Sequence, residues 1–368
     1  MPEHRVNFIG SNMQAISEQE KIRNIRLKCH QLAEPQFERP EDLVEWMGAI
    51  QAQDYTMVKW AVGMRLKSAT AASFHQALEK GAIVRTHVLR PTWHLVAGRD
   101  IRWMLQLTAP RVKKTVDAWV KGSGLEIPEK LYTACNDLIG KMLSGYRCLT
   151  REEIGLELQK AGIAVDNDRI RPYLLRAETE GIVCSGADKE GKPSYALLEE
   201  HIAPAPKLYP DEALGRLALQ YFRSHSPATL NDFVWWSGLP VREARKAVHS
   251  IGDRLVRECI DTQEFFIFER CREIKSPNLF HFMPPYDEYL ISYKERSAVI
   301  STEHQAKAFN KWGIFYPVIL YKGRVVGNWN RSVRKGKISV RASFFEPDVE
   351  KDPEGLAAAE DKYSSFIG

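Results

Sequence analysis

Stretches of helix-forming sequence that close on a short β-rich hairpin recur three times along this chain of 368 residues, and that repeat limits its fold more than any other feature. In the first set, helices are expected over 18–33, 40–50, 58–66 and 71–80, with Pro40 preset for a first helical turn and Glu41 and Asp42 favourable beside it. Gly81 breaks the pattern, and the run 83–96 reads as a hairpin or pair of strands. A helical connector over 99–121 follows. The second set has a helix over 130–144, another opened by the Thr150-Arg151-Glu152-Glu153 capping box, and a third over 168–180. It closes on a hairpin over 182–198 whose turn is the polar run from Gly186 to Lys192. Ala203-Pro204-Ala205-Pro206 reads as a linker. Helices at 211–224, 229–237 and 240–250 with strands at 255–256 and 265–268 make the third set. Residues 1–17 carry little pattern and are expected to form a loose arm.

From about residue 276 the character changes to strands, expected at 298–300, 316–321, 324–326 and 337–343, with turns at Gly323 and Gly336 and a closing helix over 352–366. Helices followed by a hairpin describe a winged helix. The expected fold is therefore mainly α with β, an α+β chain of three tandem winged-helix units over 18–122, 123–202 and 207–272. A small C-terminal antiparallel β-barrel with a terminal helix fills 273–368. An apolar content of 44% is ample for several cores. No apolar run reaches the roughly 20 residues a membrane helix needs, and Glu3, His4 and Arg5 are unlike a signal peptide. The expectation is a cytoplasmic monomer with no membrane partner. Six scattered cysteines without a C-x-x-C pair, and ten histidines without ligand spacing, point to free thiols, no metal and no cofactor.

A net charge of +5 says little, but its distribution says more. Between Glu303 and Glu346 no acidic residue occurs, while Lys307, Lys311, Lys322, Arg324, Arg331, Arg334, Lys335, Lys337 and Arg341 all lie there. About five acids would be expected in such a stretch from the chain's average, so the surface is polarised, and its natural partner is phosphate. Winged helices bind nucleic acid with Arg and Lys on the backbone, which makes double-stranded DNA the leading partner. P-loop, nucleophile-elbow, zincin and base-deaminase motifs are all absent from the sequence.

One polar interruption stands out in Ala49-Ile50-Gln51-Ala52-Gln53-Asp54-Tyr55, where an apolar run takes two amides and a carboxylate. In an extended segment Gln51 and Gln53 point to one side, whereas a helix would splay them. Amides donate and accept without titrating, so the pair can hold a water or a base edge at any pH, or can satisfy backbone groups at a helix end. Asp54 can assist them or cap the next helix. In the first hairpin Arg85, His87 and Arg90 are candidates for DNA contact, with Trp93 and His94 reading as packed. Asp287-Glu288 offers an acid pair, or carboxylates that cap a turn.

The residues resemble the AlkZ-like winged-helix DNA glycosylases. The resemblance rests on Gln51-Ala52-Gln53-Asp54, on the run from Arg85 to Leu95, and on Ser226-Pro227-Ala228-Thr229-Leu230 leading into Trp235-Trp236-Ser237-Gly238-Leu239. Met283-Pro284-Pro285-Tyr286-Asp287-Glu288-Tyr289-Leu290 and Gly323-Arg324-Val325-Val326-Gly327 add to it, so it spans nearly the whole chain. It implies three tandem winged helices and a β-barrel around duplex DNA. The implied reaction is monofunctional hydrolysis of the N-glycosidic bonds of alkylated purines, in some members with unhooking of interstrand crosslinks. The family's glutamine-apolar-glutamine motif maps onto Gln51, Ala52 and Gln53, and a sister branch carries aspartate at the third place. The implied catalytic set is Gln51 and Gln53 with Asp54 as a helper. Arg324, Arg331, Arg334, Lys335 and Lys337 join Arg85, His87 and Arg90 as expected DNA contacts. A non-catalytic winged-helix DNA-binding protein or regulator is the alternative.

Overall fold

The computed structural model describes residues 17–68, 70–271, 279–334, 337–347, 349 and 352–367. The arm expected before Ser17 and the candidate Lys335 lie outside them. The chain opens with α1 (Glu18–Cys29), α2 (Pro40–Met47), β1 (Ile50–Gln51), α3 (Tyr55–Gly63), α4 (Ala71–Glu79), β2 (Ile83–His87) and β3 (Trp93–Ala97). Pro40 starts α2 with Glu41 and Asp42 in its first turn, and Gly48, at φ +77°, ends it. The long α5 (Ile101–Gly122) leads to α6 (Glu129–Leu143), β4 (Leu149–Thr150), α7 (Arg151–Lys160), α8 (Asn167–Thr179), β5 (Val183–Ser185), β6 (Ser194–Leu197) and the single turn α9 (Leu198–His201). Thr150 and Glu153 form the reciprocal cap of α7. Next come α10 (Pro210–His225), α11 (Leu230–Ser237), α12 (Val241–Ser250), β7 (Leu255–Ile260) and β8 (Gln263–Phe268).

One topology recurs in these parts: helix, short strand, two helices, hairpin. The short strand pairs with the far arm of the hairpin in the orders β1-β3-β2 and β4-β6-β5. In the third part the bridge between Ala228 and Phe266 takes the same place. Neither of the first two hairpin turns is free. The turn after β2 packs on the end of α11, where a Cβ on Gly238 would lie 2.9 Å from the Leu89 carbonyl oxygen. The turn after β5 is held by Asp188, which accepts from the Tyr55 hydroxyl and lies 3.4 Å from His75.

The last part holds β9 (Phe280–Met283), α13 (Glu288–Ile291), α14 (Gln305–Ala308), β10 (Val318–Tyr321), β11 (Arg324–Arg334), β12 (Lys337–Phe344) and α15 (Pro353–Ile367). Its strands form an antiparallel sheet in the order β12-β11-β10-β9, with β12 and β9 as edges. Among the described residues this sheet is open, which corrects the expected closed barrel. Residues 298–300, expected as a strand, form a turn whose link to β11 is the Val325 N–H donating to the Val299 carbonyl at 2.8 Å. β11 pairs with β10 as far as Asn328 but with β12 as far as Arg334. Residues 329–334 and 337–342 therefore run on as a two-stranded ribbon about 20 Å long.

The cores explain where α3 sits. Its Val58, Ala61 and Val62 pack with Leu43, Val44, Met47 and Ile50, while Met57 and Trp60 face the sheet and α15. Met104 of α5, Val84 and Val96 of the first hairpin and Phe222 and Trp236 share a further core. α1 lies against the end of β8, where Cys29 and Cys271 come side by side with Cα atoms 6.5 Å apart.

Candidate active site

The amide motif lies where β1 gives way to α3. Gln51 is the last residue of β1, in register with His94, and the Ala52 N–H still donates to the Trp93 carbonyl at 2.7 Å. Gln53 sits in the bend that follows and is exposed. Asp54 is the N-cap of α3, its carboxylate accepting the Met57 N–H at 3.0 Å. Asp54 thus takes the capping role that was open to it. The extended geometry therefore ends at Gln51, and the two glutamines differ in setting: Gln51 is 5% exposed, Gln53 open.

Gln51 is clamped from both ends. Its side-chain oxygen accepts from the Arg90 guanidinium at 3.3 Å, and its backbone N–H donates to the Glu288 carboxylate at 2.5 Å. Glu288 is 1% exposed. Its second oxygen accepts from the Trp236 indole at 3.2 Å and from the Ser292 hydroxyl, and His225 Nε2 is 3.5 Å away. Burial raises its pKa, while His225 beside it, the Ser292 hydroxyl and the Gln51 N–H bring it down to about 2, so it is ionised near neutrality. Burial lowers the pKa of His225, which is neutral beside it. Glu288 lies 237 residues from Gln51 in sequence. Its neighbour Asp287 caps α13 and forms a buried ion pair with Arg65 at the end of α3, at 2.7 and 2.9 Å. The two carboxylates thus anchor both ends of the segment from Gln51 to Arg65.

The first hairpin supports this motif from behind. Arg85 donates to the Ala52 carbonyl at 2.9 Å and its guanidinium stacks 3.9 Å from the centre of the Trp93 ring. His87 pairs with Glu178 of α8 and packs on the same indole. Both residues, expected at a DNA surface, are buried with protein partners. Both faces of β2 are covered. Arg90 is half-buried between Gln51 and Trp235, and burial lowers its pKa while Glu288 opposes that. His94 is buried beside Gln51, its pKa driven down to about 3 by burial and then by Arg90.

The remaining candidates are on the last sheet. Arg324 is exposed at the start of β11, away from the ribbon. Arg331 lies on the ribbon and donates to the Tyr363 hydroxyl at 2.9 Å. Arg334 ends β11 in register with Lys337, which opens β12. Met283 pairs with Val318, and Val318 with Asn328, so β9 runs out toward Glu288 at the same end of the sheet from which the ribbon projects. The amide motif and the basic ribbon are therefore set at one end of one sheet. Glu288 is the residue sequence reasoning did not join to the glutamines, and the Met-Pro-Pro-Tyr-Asp-Glu run was its signal.

Gln51 held on a buried carboxylate, an exposed Gln53 beside it and a basic ribbon at the same end of the sheet, in a repeated helix-and-hairpin fold, fit an enzyme that acts on DNA. The chain belongs to the DNA glycosylase AlkZ-like family, whose family model matches residues 44–366. Such enzymes hydrolyse the N-glycosidic bond between base and sugar. The interstrand DNA cross-link repair glycosylase of Streptomyces sahachiroi is 24% identical over 304 residues, which cover 78% of this chain and 81% of that protein. The solved structure of Streptomyces sahachiroi DNA glycosylase AlkZ has the same fold, with a TM-score of 0.73 at 21% identity over 96% of this chain and 99% of that one. No helix among the described residues is long and apolar enough to cross a membrane.

Proposed function

We propose that this protein releases alkylated purines of the N7-alkylguanine type from double-stranded DNA, interstrand crosslinks among them, with water positioned by Gln51 and Gln53. The observation that carries this reading is the double clamp on Gln51, by Arg90 and by Glu288, beside an exposed Gln53. Alkylation at N7 puts a positive charge on the base, which makes it a good leaving group and leaves a cationic sugar that needs little nucleophilic push. Positioning then matters more than basicity, and two non-titrating amides suffice. In this reading Gln51 is the fixed member. Gln53 is the mobile one that meets water and lesion, and Asp54 acts by holding the start of α3.

The repeated units at 18–122, 123–202 and 207–272 act as winged helices, with the part at 273–368 as a fourth body. Because the first two hairpin turns pack on protein, these wings brace the units against one another. Arg85 and His87 accordingly support the motif, and contact with phosphate falls to Arg324, Arg331, Arg334, Lys335 and Lys337. The protein works as a monomer.

Base release from a duplex carrying N7-methylguanine tests the reading. Gln51→Ala and Gln53→Ala should each slow single-turnover release on the order of 100-fold with duplex binding kept. Folded variants that match wild type would remove the amides from the chemistry. A wild type that binds the duplex tightly and releases nothing would leave a DNA-binding protein only.

A further inference from the structure

Three features leave the last sheet at one end: the turn from Met283 to Glu288, the ribbon, and the loop over 309–316 that enters β10. That loop is built to hold an indole in solvent. Its base is closed by the bridge between Phe309 and Phe315, whose rings stack 5.2 Å apart. The Asn310 side-chain oxygen accepts the N–H groups of Trp312 at 2.9 Å and Ile314 at 3.2 Å, and Gly313 takes φ +78° to complete the turn. Trp312 at the tip is 79% exposed, whereas Trp60, Trp103, Trp236 and Trp329 are each less than 5% exposed. Ile314 and Tyr316 of the same loop are exposed as well, so the indole belongs to an apolar patch and not to a lone surface side chain.

The loop is also next to the amide motif. Phe315 lies 6.4 Å, centre to centre, from Tyr286, a non-glycine residue at φ +59° immediately before Asp287. Burial, then the charge of Asp54 and the phenol of Tyr316, raise the pKa of the Tyr286 hydroxyl. Tyr286 thus links the base of the loop, through Phe315, to the Asp287-Glu288 pair that holds the motif. The stretch of chain that carries the loop has charges of one sign, since no acid occurs between Glu303 and Glu346, and Lys311 stands 5.1 Å from the Trp312 ring. A flat, exposed aromatic on a stretch of chain that carries only cations, beside the site, fits the stacked bases of a duplex.

We propose that Trp312 is a wedge that enters the base stack next to the lesion and opens the step from which the purine is removed, with Lys311 on the adjoining phosphate. The proposal rests on the reading that the protein acts on duplex DNA at Gln51 and Gln53. Inserted apolar side chains part neighbouring base pairs in this manner, and an aromatic ring replaces the stacking that the parted base loses.

The test uses a duplex with 2-aminopurine beside a single N7-methylguanine and compares wild type, Trp312→Ala and Trp312→Phe. Wild type should raise 2-aminopurine fluorescence on binding, the alanine variant should not, and phenylalanine should restore the rise. Single-turnover release should fall about tenfold in the alanine variant, at an unchanged Tm. No rise in wild type, or an equal rise and equal release in the alanine variant, overturns the wedge. A Trp312-dependent rise in a wild type that releases no base upholds the wedge and removes the glycosylase reading instead.

Discussion

Glu288 accepts at both oxygens, from a backbone N–H, an indole and a hydroxyl, and an amide in its place could accept at only one. Glu288→Gln therefore sets a donor against a donor inside the core and frees the backbone of Gln51. Stability should fall by about 2 kcal/mol and base release should slow more than duplex binding weakens, measured by urea denaturation and single-turnover kinetics. Unaltered release in a destabilised variant would reduce Glu288 to a structural brace. The glutamine pair itself was legible in the sequence, because amides in an apolar run have few bland uses, and so was the chance that Asp54 caps α3. The partner of Gln51 was not legible. A contact across 237 residues is set by how the last sheet docks on α3, and residue spacing carries no trace of it. The burial of Arg85 and His87 was not legible for a related reason: alternation tells that two strand residues share a side, but not that both sides of β2 are covered.

At the scale of elements, α3 is pinned at its far end by α15. Gly63 is the last residue of α3, and a Cβ there would fall 2.2 Å from the Phe366 ring in the last turn of α15. Gly63→Ala must displace that ring, with an overpacking cost of about 1–3 kcal/mol. The Tm should drop accordingly, and adding Phe366→Ala should recover part of the loss to overpacking. A Gly63→Ala protein as stable as wild type would show that α15 yields freely and does not hold α3. Helices such as α6, α8, α10 and α12 fall within a residue or so of their expected bounds, because their apolar stripes and caps are local. Closure of the last sheet is not local. Alternation predicted strands there, but whether β12 meets β9 depends on twist and on α15 lying across the sheet, and the edges stay apart. The ribbon escaped for the same reason, since the long run of β11 beyond β10 follows from pairing with β12 alone.

For the whole molecule, the notable electrostatic feature of the interior is its neutral imidazoles. His30, His94, His225 and His281 are all buried, and burial is the first cause that lowers the pKa of each, to about 3 for His94 and about 4 for His281. The charged groups facing His281 are Lys362 and Arg65, cations that add to burial, while its bond to the Leu32 carbonyl at 2.9 Å works the other way. In the unfolded chain these rings titrate near the ordinary value of 6.5. Below that pH the unfolded chain takes up protons that the folded one refuses, so stability is intact above 6.5 and is lost as pH falls toward the folded values. Each such ring steepens the loss by about 1.4 kcal/mol per pH unit within its window. Urea denaturation at pH 7, 6 and 5 should show a progressive fall, and His281→Gln, which keeps a donor for Leu32, should flatten the slope by about one proton. A stability independent of pH over that range would mean the rings are protonated in the fold. Acid should act first where the parts of the chain meet, because the Tyr293 hydroxyl joins His30 of α1, at 2.8 Å, to the His225 carbonyl of α10, at 2.8 Å. That junction carries His225 against Glu288, and through Glu288 the backbone of Gln51, so base release should be lost at a higher pH than the fold as a whole.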